Sequence, residues 1–125
     1  MEPGLEATIE ERVTEEMTAV SLGSGDVPVL GTPAVLALAE RACRASIEGT
    51  LPGGRTSVGS WVELSHLAPT PVGAMVIVRA TLTEADDRTL VFEFSASDGS
   101  GQIARGTHRR VVVDRDRFLE HAHER

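Results

Sequence analysis

Aromatic side chains are nearly missing from this sequence: 125 residues hold one Trp, three Phe and no Tyr. The core must therefore be aliphatic, and a platform on which nucleic-acid bases stack is not expected. Cysteine is equally scarce. Cys43 stands alone, so the chain forms no intramolecular disulfide and no cysteine-based zinc site, and a reducing compartment suits it. Basic residues are in deficit, 12 against 19 acidic ones, for a net charge of −7 and a pI near 5.0. No basic field serves a phosphate backbone or an anionic membrane surface, although a local arginine cluster still allows a small anionic ligand. No run approaches the roughly 18 apolar residues of a membrane span, and the opening Met-Glu-Pro-Gly-Leu-Glu has neither a basic nor an apolar leader region. The expectation is a soluble cytoplasmic protein with no nucleic-acid or membrane partner. No internal repeat, GxGxxG or phosphate-binding loop motif occurs.

What is present is organised around Gly31 to Thr50, the one long helical stretch. Thr32 is a favoured N-cap residue, Pro33 suits the first turn and Gly49 supplies a stop. Val35, Leu36, Leu38, Ala39, Ala42, Cys43, Ala45 and Ile47 cover most of the circumference, so the helix is expected to be enclosed. After the break at Leu51-Pro-Gly-Gly-Arg55 the apolar period changes to two. Ser57 to Leu67 reads as a strand with Val58, Ser60, Val62, Leu64 and His66 on one face and Gly59, Trp61, Glu63, Ser65 and Leu67 on the other. Met75 to Thr83, Leu90 to Ser97 and Gln102 to Val113 follow as strands, separated by turns at Pro69–Gly73, Glu84–Arg88 and Asp98-Gly99. Ala7 to Val20 reads as a polar edge strand and Ser21 to Leu30 as a loop or lid. Asp114 to Arg125 reads as a helix capped by Asp114 and anchored by Phe118 and Leu119. The order predicts a single α+β domain over 1–125, with a largely antiparallel sheet and the long helix on one face.

Glu40 is the lone carboxylate at mid-length of that apolar helix. Such surroundings raise a carboxylate's pKa and make it useful as a base or nucleophile. The plain alternative is a solvated row of ion pairs, since Glu40, Arg44 and Glu48 follow at i,i+4. His66, on the apolar face of its strand, suits a hydrogen-bonded core residue or a proton-transfer group. Thr32 is accounted for by capping, yet a hydroxyl there also sits where backbone N–H groups and the helix dipole stabilise negative charge. Alternation puts His108 and Arg110 on one strand face and Arg109 on the other. His121 and His123 read as solvated, and no histidine has visible partners for a metal.

Thr32, Glu40 and His66 follow one another at separations of eight and 26 residues. Together with Ala-Glu-Arg-Ala-Cys43, Ser-His-Leu-Ala-Pro-Thr-Pro-Val-Gly73 and Gly-Thr-His-Arg-Arg110, this arrangement resembles the hotdog-fold acyl-CoA thioesterases, and within them the fluoroacetyl-CoA thioesterase type. The resemblance covers roughly residues 30 to 118. It implies a long helix wrapped by a curved antiparallel sheet, a homodimer with active sites near the subunit interface, and hydrolysis of an acyl-CoA without metal or cofactor. It further implies Glu40 as nucleophile or general base, Thr32 as its assistant and His66 as the proton carrier facing Glu40, with Gly59 and Arg110 lining the substrate pocket. The member specific for fluoroacetyl groups carries phenylalanines in the lid before the helix. Ser21 to Leu30 has none, which points to a general small or short-chain acyl preference. Two other readings fit the same fold: dehydration of a hydroxyacyl thioester, and a non-catalytic module that holds an acyl-CoA or a carrier protein.

Overall fold

The computed structural model describes residues 1–125. Strand β1 (Glu6–Arg12) leads through a 3₁₀ turn (Glu15–Met17) and a one-turn helix α1 (Ala19–Leu22) into the long helix α2 (Thr32–Ser46). Strands β2 (Arg55–His66), β3 (Met75–Ala85), β4 (Thr89–Asp98) and β5 (Gly101–Asp114) follow, and helix α3 (Arg115–Glu124) ends the chain. The five strands form one sheet in the order β1-β3-β4-β5-β2, and every neighbouring pair is antiparallel. The α+β class and the helix-on-sheet layering are as the sequence predicts. No helix is long and apolar enough to cross a membrane.

Period-two patterning builds the inner face of the sheet. Val76, Val78, Ala80 and Leu82 of β3 and Leu90, Phe92, Phe94 and Ala96 of β4 are all buried, and α2 lies across β1, β3 and β4. From the helix, Val35, Leu38, Ala39, Ala42, Cys43 and Ser46 enter the contact at i, i+3, i+4, i+7, i+8 and i+11. Alanines at 39, 42, 80, 96 and 104 are at most 2% exposed, so small side chains let helix and sheet approach closely. Burial pushes the Cys43 thiol up to about 12, which leaves it a packing residue. The helix is not enclosed within the protomer: Pro33, Ala37, Arg41 and Arg44 are exposed and Glu40 is half-buried. Its apolar residues outnumber those that one sheet face covers.

Three β-bulges bend the sheet around α2. The extra residues are Ser60 in β2, Thr83 in β3 and Ile103 in β5. The last explains why the consecutive residues Ile103 and Ala104 are both buried.

Several boundaries differ from the sequence reading. The Ala7–Val20 strand stops at Arg12, because Val13 turns into the core at 1% exposure. Part of the expected lid is helical: Thr18 caps α1, accepting from the Ser21 N–H at 3.2 Å. Gly31, not Thr32, is the N-cap of α2, and its carbonyl accepts from Ala34 and Val35 N–H at 3.0 and 3.1 Å. The helix ends at Ser46 with Ile47 as C-cap, and Gly49 adopts a left-handed φ of 78° in the turn beyond. Asp114 caps α3 through the Arg117 N–H at 3.0 Å as expected. Phe118 and Leu119, however, are 42% and 51% exposed and lie outside the core cluster.

Gly106 in β5 marks the tightest approach in the sheet. A Cβ there would collide with the Glu63 carbonyl oxygen of β2 and sit 2.6 Å from the Phe94 ring. Backbone cannot yield as a flexible side chain does, so Gly106→Ala is expected to lower stability by about 1–3 kcal/mol in urea denaturation. An unchanged midpoint would contradict this packing.

Candidate active site

Helix α2 and the edge strand β2 position the side chains that the sequence singles out. Thr32 and Glu40 are eight residues apart on α2, about 12 Å along its axis. Strict alternation would put Gly59 and His66 on opposite faces of β2. The bulge at Ser60 reverses that parity. Gly59 pairs with Arg110, Val62 with His108, Leu64 with Gly106 and His66 with Ala104. Directly opposed residues share a face, so Ser57, Gly59, Val62, Leu64 and His66 all point to the helix side.

Beside the start of β2, Arg110 of β5 is only 4% exposed and its guanidinium engages three neighbours. Its Nε donates to Ser57 Oγ at 2.8 Å, and Nη2 donates to the Ser57 carbonyl at 2.9 Å. Its Nη1 donates to Glu40 Oε2 at 3.1 Å and lies 3.0 Å from His108 Nε2. Burial pushes the Arg110 pKa down, and the Glu40 carboxylate works against that. Gly59 makes the arrangement possible: a Cβ at that position would lie 2.6 Å from Glu40 Oε2 and 3.1 Å from His108 Cε1. Glu40 makes no ion pair with Arg44, so the solvated i,i+4 row does not describe it. Its side chain is 38% exposed. One oxygen is tied to Arg110, and Oε1 accepts no hydrogen bond from the chain.

His108 is the component that the sequence reading placed on the right face but did not assign to the site. It is 2% exposed, and its Nδ1 lies 2.9 Å from the Trp61 carbonyl oxygen. A carbonyl only accepts and a guanidinium only donates, so Nδ1 carries the hydrogen and Nε2 receives the Arg110 N–H. The 3.6 Å separation between His108 Nε2 and Glu40 Oε2 is then a contact between two acceptors rather than an ion pair. The signal available beforehand was the i,i+2 spacing of His108 and Arg110 on one strand face.

At the other end of β2, Thr32 Oγ1 and His66 Nδ1 are 2.8 Å apart. Released from capping by Gly31, the Thr32 hydroxyl orients the imidazole. His66 Nε2 is buried and has no hydrogen-bond partner, an unusual state for a ring nitrogen. The structure thus brings Thr32 to His66, and Glu40 to Arg110 and Gly59. No hydrogen bond or ion pair joins the two groups within a protomer, and the imidazole that faces Glu40 is His108 rather than His66. His121 and His123 are exposed on α3, and no three His, Cys, Asp or Glu side chains converge as metal ligands.

The buried, neutral His108 has a consequence for stability. Burial, reinforced by the Arg110 charge, holds its pKa below the ordinary 6.5 despite the opposing Trp61 carbonyl and Glu40. The unfolded chain therefore takes up a proton below pH 6.5 that the folded chain does not. Stability is unaffected above that pH and declines below it, by up to about 1.4 kcal/mol per pH unit until the folded-state value is reached. Urea denaturation between pH 7.5 and 5 is expected to show a shallower acid decline for His108→Gln than for the wild type; parallel declines would overturn this assignment.

Comparison with known proteins matches this fold. The family profile of FlK, the fluoroacetyl-CoA-specific thioesterase, matches residues 13–116. The fluoroacetyl-CoA thioesterase of Streptantibioticus cattleyicolor is 36% identical over 90 residues, which spans 72% of this chain and 65% of that relative. The solved structure of fluoroacetyl-CoA thioesterase FlK superposes with a TM-score of 0.95 at 29% identity, over 100% of this chain and 97% of that one. A Thermus thermophilus member of the thioesterase superfamily superposes with a TM-score of 0.90 at 27% identity, over 98% and 91% of the two chains. With its sheet wrapped on one long helix and a profile match over most of its length, the chain belongs to the fluoroacetyl-CoA-specific thioesterase family.

Proposed function

We propose that this chain, as one hotdog domain in the cytoplasm, is an acyl-CoA thioesterase that hydrolyses a small or short-chain acyl thioester to the free acid and CoA. The observation that carries this reading is the Glu40 carboxylate. One oxygen is fixed by a buried guanidinium, the other is unengaged, and Gly59 keeps the space beside it clear. Thioester hydrolysis needs an activated oxygen nucleophile, polarisation of the carbonyl and a proton for the departing thiolate. Glu40 Oε1 supplies the first, by attacking the carbonyl itself or by taking a proton from the attacking water. Thr32 and His66 take the other two roles in this reading, with the unpartnered His66 Nε2 as the proton-carrying atom. The segment Ser21–Leu30 offers no aromatic side chain to close over a fluoroacetyl group, which favours a general small-acyl preference.

The two half-sites lie about 12 Å apart along α2, and a homodimer joins them. Strand β2 is an edge of 12 residues, a template for pairing with another chain. Trp61, Val62 and Leu67 beside that edge are 44%, 36% and 51% exposed. Glu40 and Arg110 lie over Ser57 and Gly59 at the start of β2, and His66 is its last residue. Antiparallel pairing of β2 with its own copy, centred between Trp61 and Val62, sets His66 of the partner subunit opposite Ser57. Each active site then takes Thr32 and His66 from one protomer and Glu40, Gly59 and Arg110 from the other.

Release of free thiol from acetyl-, propionyl- and butyryl-CoA tests the activity, and a saturated acyl-CoA excludes dehydration as its source. Glu40→Gln is expected to lower kcat by about 10²–10⁴-fold with the fold retained; an unchanged rate would remove Glu40 from the mechanism. His66→Ala should be similarly impaired. Mixing the two inactive variants and allowing subunits to exchange should restore about one quarter of wild-type activity, since half the dimers then contain one intact site. No recovery after demonstrated exchange, or a monomer in sedimentation, would overturn the shared site.

A further inference from the structure

We propose that the cavity between the C-terminal half of α2 and the start of β2 binds the phosphates of the CoA nucleotide, its 3′-phospho-ADP end. This rests on the thioesterase reading and adds a place for the non-reacting end of the substrate. The cavity has a volume of about 400 Å³, and Arg41, Arg44 and Arg55 contribute guanidinium groups to its lining against the single carboxylate of Glu48. The local charge is positive on a chain whose net charge is −7. An anionic substrate is repelled by such a chain as a whole, so productive approach needs a spot where the sign reverses.

Two of the three arginines are uncommitted. Arg41 donates to Glu11 at 3.0 Å, whereas Arg44 and Arg55 make no ion pair and donate no side-chain hydrogen bond within the chain. The planar fork of a guanidinium matches phosphate oxygens in pairs, which a point charge cannot do. The cavity adjoins the catalytic cluster through one shared residue. Ser57 lines it and accepts the Arg110 Nε bond that holds the guanidinium beside Glu40. Arg44 lies one helical turn beyond Glu40 on the same face, and the lining goes on past the end of α2 to Gly49 and Leu51. A thioester at Glu40 therefore lets the pantetheine arm run along α2 and deliver the phosphates to Arg44 and Arg55.

The test uses acetyl-CoA, acetyl-phosphopantetheine and acetyl-pantetheine on the full-length wild type and on Arg44→Ala/Arg55→Ala. The double variant is expected to raise KM for acetyl-CoA by about tenfold or more with kcat within about twofold. KM for acetyl-pantetheine, which has no phosphate, should stay unchanged. Equal KM shifts on acetyl-CoA and acetyl-pantetheine, or no shift on either, would overturn the proposal. An equal loss on acetyl-phosphopantetheine would overturn the nucleotide assignment in favour of the single phosphate that a carrier protein's arm also bears. Calorimetry with free CoA separates this inference from the activity on which it rests. If the wild type hydrolyses no thioester, binding that the double variant loses still upholds the cavity, and binding equal in both proteins, or absent from both, overturns it.

Discussion

A guanidinium buried under a helix is the constraint on which this structure turns. Arg110 cannot leave its charge unpaired at 4% exposure without a penalty of several kcal/mol. The chain answers with a serine hydroxyl, a serine carbonyl, an imidazole lone pair and one carboxylate oxygen. Each of these partners makes its own demand on the fold. The Ser60 bulge must turn Ser57 and Gly59 inward, residue 59 must lack a Cβ, and α2 must cross the sheet so that Glu40 meets β5. His108, locked between Arg110 and the Trp61 carbonyl, completes a chain of bonds in which no member moves without the next.

The aliphatic core makes that precision affordable in a chain of this size. With Phe92 and Phe94 as the only aromatic side chains in the core, helix and sheet meet through alanines and β-branched residues. Their stiffness and small volume keep the separation short. The same closeness is visible at Gly106, where two strands and the Phe94 ring leave no room for a methyl group. Curvature comes from bulges rather than from bulky wedges, and the bulge that bends β2 also sets which of its residues reach the site.

The similarity to the FlK structures extends over the whole chain at 29% identity, so helix and sheet persist while most side chains differ. What this chain shares with them is a scaffold of one long helix laid on an antiparallel sheet.

Period and punctuation made the element order, the α+β class and the candidate residues legible in the sequence, because helix and strand patterning is local chemistry. The Thr32, Glu40 and His66 spacing was legible too, since α2 and β2 are single elements joined by one short break. Partnership was not. Whether Glu40 would meet Arg44, His66 or Arg110 depends on a one-residue bulge and on the crossing of α2 over β5, neither of which leaves a mark in composition or period. Capping of α2 likewise passed from Thr32 to Gly31 because a backbone carbonyl sufficed there, and that freed the hydroxyl for His66. Local sequence determined which groups exist and on which element each stands; only the packing of helix on sheet decided which of them touch, since contact between residues 70 apart is settled by tertiary geometry alone.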